Sequence, residues 1–357
     1  MTAEFNFEQA TCPLPISRHT HVLLGHGSGG TLSAELIRRL FLPALGIEPN
    51  TVLEDQAAID LGETSEPVSG LAFTTDSFVV KPLFFPGGDI GKLAVHGTVN
   101  DLAVGGATPL VLSAAFILEE GLPLEDLRRI AESMRIACDE ANVRLVTGDT
   151  KVVDRGKGDG LFVTTAGIGL LPPGQRLSIT AARPGDRVLV SGTLGDHGVA
   201  ILSVREGLEF ETELRSDTAP LHDLTQTMLR ACSEIRCMRD PTRGGLASTL
   251  HELAEASRVG VALTESAIPL RREVHAACEM LGLDPLHVAN EGKLIAVVPA
   301  EHAEQLLAAM RAHPLGRNAA EIGEITSEHP GMVVMRTKIG GRRVVAMLAG
   351  EQLPRIC

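Results

Sequence analysis

The sequence predicts two domains that each mix strands with helices, in an α/β or α+β arrangement. Three observations carry this. The chain has 357 residues, about two ordinary domain lengths. Strand-like and helix-like patterns alternate in both halves. Leu171-Pro-Pro-Gly, followed by Ala182-Arg-Pro-Gly-Asp, breaks the pattern in the middle. We therefore divide the chain into an irregular lead-in (1–20), an N-terminal domain (21–175), a C-terminal domain (176–345) and a tail (346–357).

The elements follow in order. His21-Val-Leu-Leu reads as a short strand, then a glycine-rich turn, then a helix from Thr31 to Leu42 with Leu32, Leu36, Ile37, Leu40 and Phe41 on one stripe. Strands are expected near 51–60, 71–80, 110–118, 143–148 and 161–170. Helices are expected near 91–105 and 124–141, the second with Leu124, Leu127, Ile130, Met134 and Cys138 at helical spacing. The second half predicts helices near 196–206, 219–236, 244–258, 270–282 and 300–312. Its strands are expected near 187–191, 260–264, 293–298, 319–327, 331–337 and 342–348. The last residues contain Gly350 and Pro354 and read as a mobile tail.

Composition excludes several functions. Lys plus Arg number 32 and Asp plus Glu 45, a net charge of −13. Such a surface repels phosphate backbones and anionic lipids. With 10 Phe and no Trp or Tyr, a stacking platform for single-stranded nucleic acid is hard to build. No apolar run approaches the ~18 residues of a membrane span, and the first residues lack the regions of a secretory signal. The six Cys have no C-x-x-C pairing, which points to a reducing, cytoplasmic compartment. Cys232 and Cys237 lack partners at zinc-ligand spacing. No Gly-x-Ser-x-Gly elbow occurs, so a serine hydrolase has no support.

The positive signals are glycines and acids. Gly25-x-Gly27-x-x-Gly30, with Gly29 between, lies where a strand meets a helix and matches the dinucleotide fingerprint. Glycines let a backbone approach phosphate, and a helix N-terminus favours anions. The next strand lacks a single ribose-binding acid, and no Lys follows Gly30 as in a Walker A loop.

Asp55, Asp76, Asp101, Asp149 and Asp240 each sit in an apolar or tight-turn setting. A lone acid of this kind caps a helix or pairs with Arg, but several together repel unless cations lie between them. Hard oxygen ligands suit Mg²⁺ held jointly by carboxylates and phosphates. His96, Asn100 and Asp101 are spaced to share a helix face with Lys92, although His96 alone reads as a satisfied buried histidine. Asp240-Pro-Thr-Arg-Gly-Gly brings Arg243 to the start of a helix, an anion seat or ordinary capping. Cys357 is the last residue of the sequence. It is not a CaaX cysteine, and on a mobile arm it could visit two sites.

Thr-Thr-Asp-Ser-Phe-Val-Val, Pro-Leu-Phe-Phe-Pro-Gly-Gly, Gly-Lys-Leu-Ala-Val-His-Gly-Thr-Val-Asn-Asp-Leu-Ala, Thr-Gly-Asp-Thr-Lys-Val-Val, Asp-Pro-Thr-Arg-Gly-Gly-Leu-Ala and the final Pro-Arg-Ile-Cys, in this order, resemble the HypE family of hydrogenase maturation proteins, the carbamoyl dehydratases. The internal motifs resemble the wider superfamily of aminoimidazole ribonucleotide synthetase and selenophosphate synthetase. The terminal Pro-Arg-Ile-Cys narrows it. A reactive Cys followed by Lys, expected near the glycine loop of a selenophosphate synthetase, is replaced by His26 and Ser28.

The resemblance implies an aminoimidazole ribonucleotide synthetase-like fold, with the N-terminal domain forming a β-barrel in a homodimer. It implies that ATP and Mg²⁺ bind between the domains. It implies that HypF carbamoylates Cys357, that ATP drives dehydration to S-cyanocysteine, and that the cyanide passes through a HypC–HypD complex to the iron of a nickel–iron hydrogenase. It makes Asp55, Asp76, Asp101, Asp149 and, less directly, Asp240 the metal ligands, supported by Asn100 and Thr150. The Gly25–Gly30 loop closes over the phosphates. Lys151 is the candidate stabiliser of the transferring phosphoryl group or of the carbamoyl oxygen, Glu291 the candidate base, and His96 the second candidate. The alternatives are another ATP-dependent superfamily enzyme acting on a free small molecule, a docking subunit without activity, and, on the glycine fingerprint alone, a nicotinamide enzyme.

Overall fold

The computed structural model describes residues 20–23, 35–48, 70–174, 177–207, 214–347 and 356. The glycine loop, the expected 51–60 strand with Asp55, and Cys357 lie outside the described residues.

The N-terminal domain is a four-stranded sheet covered on one face by two helices. Its strands are β1 (Gly70–Phe78), β4 (Thr108–Glu119), β5 (Arg144–Val153) and β6 (Leu161–Leu171), in the order β1-β6-β4-β5. β6 is antiparallel to both neighbours, and β4 is parallel to β5. A two-stranded ribbon, β2 (Phe84–Phe85) with β3 (Gly88–Asp89), leads into helix α1 (Ile90–Val104). Asp89 caps α1, its Oδ1 accepting from the amides of Gly91 and Lys92 at 2.8 and 3.1 Å. Helix α1 is apolar nearly all round and almost wholly buried, as expected of a helix packed on several sides. Helix α2 (Leu124–Glu140) is amphipathic and buries Leu127, Ile130, Met134 and Cys138. A Cβ on Gly97 would stand 2.8 Å from the Phe78 ring, so this glycine lets α1 settle onto β1. The other face of the sheet is uncovered in the single chain, leaving Leu71 and Phe73 exposed at 59% and 71%.

The C-terminal domain has seven strands: β7 (Arg187–Val190), β8 (Cys237–Arg239), β9 (Gly260–Thr264), β10 (Ile295–Val298), β11 (Ala320–Thr326), β12 (Val333–Arg336) and β13 (Arg342–Val345). Their order is β13-β12-β9-β11-β7-β10-β8, and only β9 and β12 run parallel. β10 is buried at every position, and β7 at all but Arg187. That explains their uninterrupted apolar runs. One face packs on helix α5 (Gly245–Ser257) through Leu246, Leu250 and Leu253. The opposite face packs on α4 (His222–Ala231) and α7 (Ala300–Ala312) through Leu224, Met228, Leu306 and Met310. Two further helices, α3 (Asp196–Glu206) and α6 (Arg272–Leu281), share a small cluster with Val288.

Most expected elements form with boundaries moved by a few residues. The expected helix over 219–236 stops at Ala231, because Cys232 turns extended and the chain goes on to form β8, a strand the pattern did not announce. The tail expectation also changes at Ile356. This residue is 3% exposed and sits in the hydrophobic cluster of the N-terminal domain, together with Ile201 and Ala289 of the C-terminal domain.

Candidate active site between the domains

Helix α1 forms one wall of the junction and the Ser216–Leu221 segment the other. Asn100 joins them. Its amide nitrogen donates to the carbonyls of Ala219 and Glu291, both at 3.0 Å, and its carbonyl accepts from the Leu221 amide at 2.7 Å. These bonds make Asn100 a strut between domains, with its amide already engaged, rather than the free supporting group expected from the motif. His96 is fully buried one turn earlier, its Nδ1 3.1 Å from the Thr218 hydroxyl and its Nε2 3.7 Å from Glu140. Burial pushes its imidazole pKa down, against the pull of Glu140.

Asp101 does not share the face of His96 and Asn100. One residue further round, it turns toward β1, where its Oδ2 accepts from the Thr74 hydroxyl at 2.8 Å. Asp76 projects from β1 toward the same place, against Gly97. Asp240 comes from the loop after β8, and its carboxyl feels both Asp101 and Asp76. Burial raises the carboxyl pKa of all three. Asp76 repels Asp101, while Arg243 draws Asp76 back down. Asp240 is pushed up to about 7. The acid does not cap α5, whose N-cap is Gly244 with a left-handed φ of +78°.

Glu291 lies deeper. It is 3% exposed, and its Oε1 has no hydrogen-bond partner among the described residues. Burial raises its carboxyl pKa well above the ordinary value, and Asp217, Asp240, Asp76 and Asp101 raise it further. Its backbone amide donates to Asp217 Oδ1 at 3.1 Å. Asp217 is itself held by Lys293, Nζ to Oδ2 at 3.0 Å, with both side chains largely buried. A Cβ on Gly292 would clash with the Asp217 carbonyl oxygen, so only glycine lets these two loops meet.

Asp149, Thr150 and Lys151 lie elsewhere. They sit on β5, at the opposite edge of the sheet from β1, three strand spacings or ~14 Å from Asp76. Asp149 and Lys151 are exposed and pair with each other, Nζ to both carboxylate oxygens at 3.0 Å, which pulls the Asp149 carboxyl pKa down. The Thr150 amide donates to Asp149. Within one chain Asp149 therefore does not join the other acids, because β6 and β4 separate the edges. Among the described residues, no three His, Cys, Asp or Glu side chains form a ready metal site. Asp76, Asp101 and Asp240 nevertheless fit a divalent cation shared with phosphates. They are hard ligands that repel one another, and a cation relieves that repulsion.

Sequence reasoning missed Asp217, Lys293, Asp196 and His197. Asp196 is buried, bonded to Thr193 and 3.3 Å from Arg271 Nε. A Gly-Asp-His-Gly stretch at 195–198 and a Ser-Asp-Thr stretch at 216–218 were the available signals. Neither matches a general motif, and only the fold brings them together.

Two α/β domains with acids gathered at their junction define a protein of the AIR synthase class. The N-terminal domain of the AIR synthase related protein family matches residues 53–171, and its C-terminal domain matches residues 183–335. A carbamoyl dehydratase HypE from Azotobacter vinelandii is 59% identical over 340 residues, covering 95% of this chain and 98% of its own. The crystal structure of HypE in complex with ATP is similar with a TM-score of 0.87 at 48% identity, over 94% of this chain and 99% of that one. A HypE–HypF complex structure gives 0.75 at 50% identity, over 78% and 90%. The chain belongs to the carbamoyl dehydratase HypE family.

Proposed function

We propose that this chain dehydrates an S-carbamoyl group carried on its own Cys357 to a thiocyanate, at the expense of ATP. The carrying observation is Glu291, a buried carboxyl whose Oε1 has no hydrogen-bond partner among the described residues. One loop links it to the site where Ile356 docks: Glu291 binds Asp217, and the preceding residue, Ser216, holds the histidine that meets the Ile356 carbonyl.

The chemistry follows from the poor leaving ability of an amide oxygen. The carbamoyl oxygen attacks the γ-phosphorus of ATP, ADP leaves, and the nitrogen releases its first proton to solvent. The resulting S-C(=NH)-O-phosphate loses phosphate as a base removes the remaining N–H proton, giving S–C≡N. Glu291 takes that proton in our reading, with His96 the second candidate. Asp76, Asp101 and Asp240, with Asp55, would hold Mg²⁺, which supplies charge neutralisation at the phosphates. Gly25–Gly30 would offer backbone amides to the phosphates, Arg243 would offer them a cation, and Lys151 would stabilise the transferring phosphoryl group or the carbamoyl oxygen. Thr150 serves through its amide, which orients Asp149.

Lys151 and Asp149 stand too far from Asp76 to act within one chain, so they serve the phosphates from a second protomer. The uncovered sheet face, with Leu71, Phe73 and Ile117, is where two such sheets meet as a dimer barrel. Phe73→Asp places a charge there and should convert a dimer into monomers in sedimentation. An unchanged dimer would move the interface elsewhere.

HypF would load Cys357, and a HypC–HypD complex would take the cyanide, in the cytoplasm. No helix among the described residues is long and apolar enough to cross a membrane. The test is intact mass after incubation with the carbamoyltransferase, carbamoyl phosphate and Mg–ATP. The C-terminal peptide should gain one carbamoyl group, then lose one water. An unmodified Cys357 beside an active carbamoyltransferase would favour an enzyme acting on a free small molecule, or a docking subunit.

A further inference from the structure

His197 opens α3 of the C-terminal domain and is fully buried. Its Nε2 lies 2.8 Å from the backbone carbonyl oxygen of Ile356, and its Nδ1 lies 2.7 Å from the Ser216 hydroxyl. A carbonyl oxygen only accepts, so Nε2 must carry the hydrogen, and Nδ1 must then accept from Ser216. Ser216 is fixed in turn. Its amide donates to the Pro86 carbonyl at 2.8 Å, and its hydroxyl oxygen accepts from the Thr218 amide at 3.2 Å. Phe85 meets the imidazole edge-on, with ring centroids 5.6 Å apart. The ring therefore has a fixed orientation and a fixed tautomer, and its one remaining donor points at the peptide group next to Cys357.

We propose that His197 is the positioning residue that docks the C-terminal segment in the cleft, by donating Nε2–H to the Ile356 carbonyl while the Ile356 side chain anchors in the N-terminal core. Its partners are Ser216, Phe85 and the Ile356 carbonyl. Its action is to restrict the arc over which Cys357 can move. The contact also bridges the domains, since His197 belongs to one and the cluster receiving Ile356 to the other. This inference rests on the proposed use of Cys357 as carrier, but it makes a separate claim about where the tail sits.

The test is the alkylation rate of Cys357 by iodoacetamide in the full-length protein without partners, read by mass on the C-terminal peptide. His197→Ala should speed the reaction about fivefold, the weight of one net hydrogen bond. His197→Gln, which can still present an N–H, should return it toward the wild-type rate. The buried Cys138, Cys232, Cys237 and Cys278 report folding in the same digest. If they react in His197→Ala, Ser216→Ala takes its place and should also speed Cys357.

With the chain loaded by the carbamoyltransferase, the single-turnover rate of water loss in His197→Ala should fall while the ATP concentration giving half-maximal rate stays unchanged. Alkylation at the wild-type rate in the folded variant overturns the docking role, even if the wild type dehydrates its tail. Alkylation shifted as expected, in a chain that never loses water when loaded, leaves the docking intact and removes the dehydratase reading instead.

Discussion

Glu291→Gln should abolish nitrile formation and leave ATP binding intact. A positioned base contributes about 10²–10⁴ in rate, and Gln cannot take the proton. The substitution keeps shape and volume and removes a charge that the site does not otherwise compensate. Glu291 Oε1 has no hydrogen-bond partner among the described residues, and its surroundings are acidic. The variant should therefore fold at least as stably as the wild type.

The pH dependence separates a base from a structural acid. Burial, then neighbouring carboxylates, raise the Glu291 pKa well above 4.5. A base works only after losing its proton, so single-turnover water loss should climb with pH through a range above that of ordinary carboxylates. A cation bound by Asp76, Asp101 and Asp240 would lower that limb. In Glu291→Gln the limb should vanish along with the activity. Full turnover in the Gln variant would pass the role to His96.

Asp240→Asn should stabilise the protein and disable it. The folded chain holds the Asp240 carboxyl at about 7, against an ordinary 3.8, through burial and then the repulsion of Asp101. Between those values the folded chain binds a proton that the unfolded chain has released. The stability associated with this proton is thus complete below the ordinary value, falls as pH rises, and is gone above about 7. The displacement converts to a ceiling of about 4 kcal/mol, and sharing among the coupled carboxylates reduces it.

An uncharged Asn escapes that cost. Chemical denaturation followed by circular dichroism should show Asp240→Asn gaining stability at pH 8 and little at pH 5. On the proposed role of Asp240 as a metal ligand, Mg–ATP binding should weaken. Equal stability at both pH values would mean that Asp240 is not held against like charges.

The legible and the illegible parts of this protein differ in kind. Asp76, Asp101 and Asp240 could be picked out because each puts a charge in an apolar or tight-turn setting, whereas Glu291 was reached only through the family resemblance. In the fold Asp76 and Asp101 bear on Asp240, and all three bear on the buried Glu291. Asn100 stood out beside Asp101 as a polar residue in an apolar helix, but a motif does not say whether an amide faces a ligand or a neighbouring carbonyl, and here it faces carbonyls. Asp149 was grouped with the others because strand order cannot be read from strand content, and β6 and β4 happen to lie between it and β1. His197 and Asp217 gave almost no signal. Their importance is a matter of what lies opposite them, at separations of 159 and 74 residues from Ile356 and Glu291.

The sequence by itself determined the two-domain division, the apolar strands and helix stripes that form each core, and which acids are set in apolar or tight-turn surroundings. Periodicity and charge are local properties, and burial of one face follows from them directly. The tertiary structure decided which acids meet, which are kept apart by intervening strands, and where Ile356 sits. Those outcomes depend on loop closures and strand order spanning the whole chain, and their energies are set by contacts that do not exist until both domains have folded.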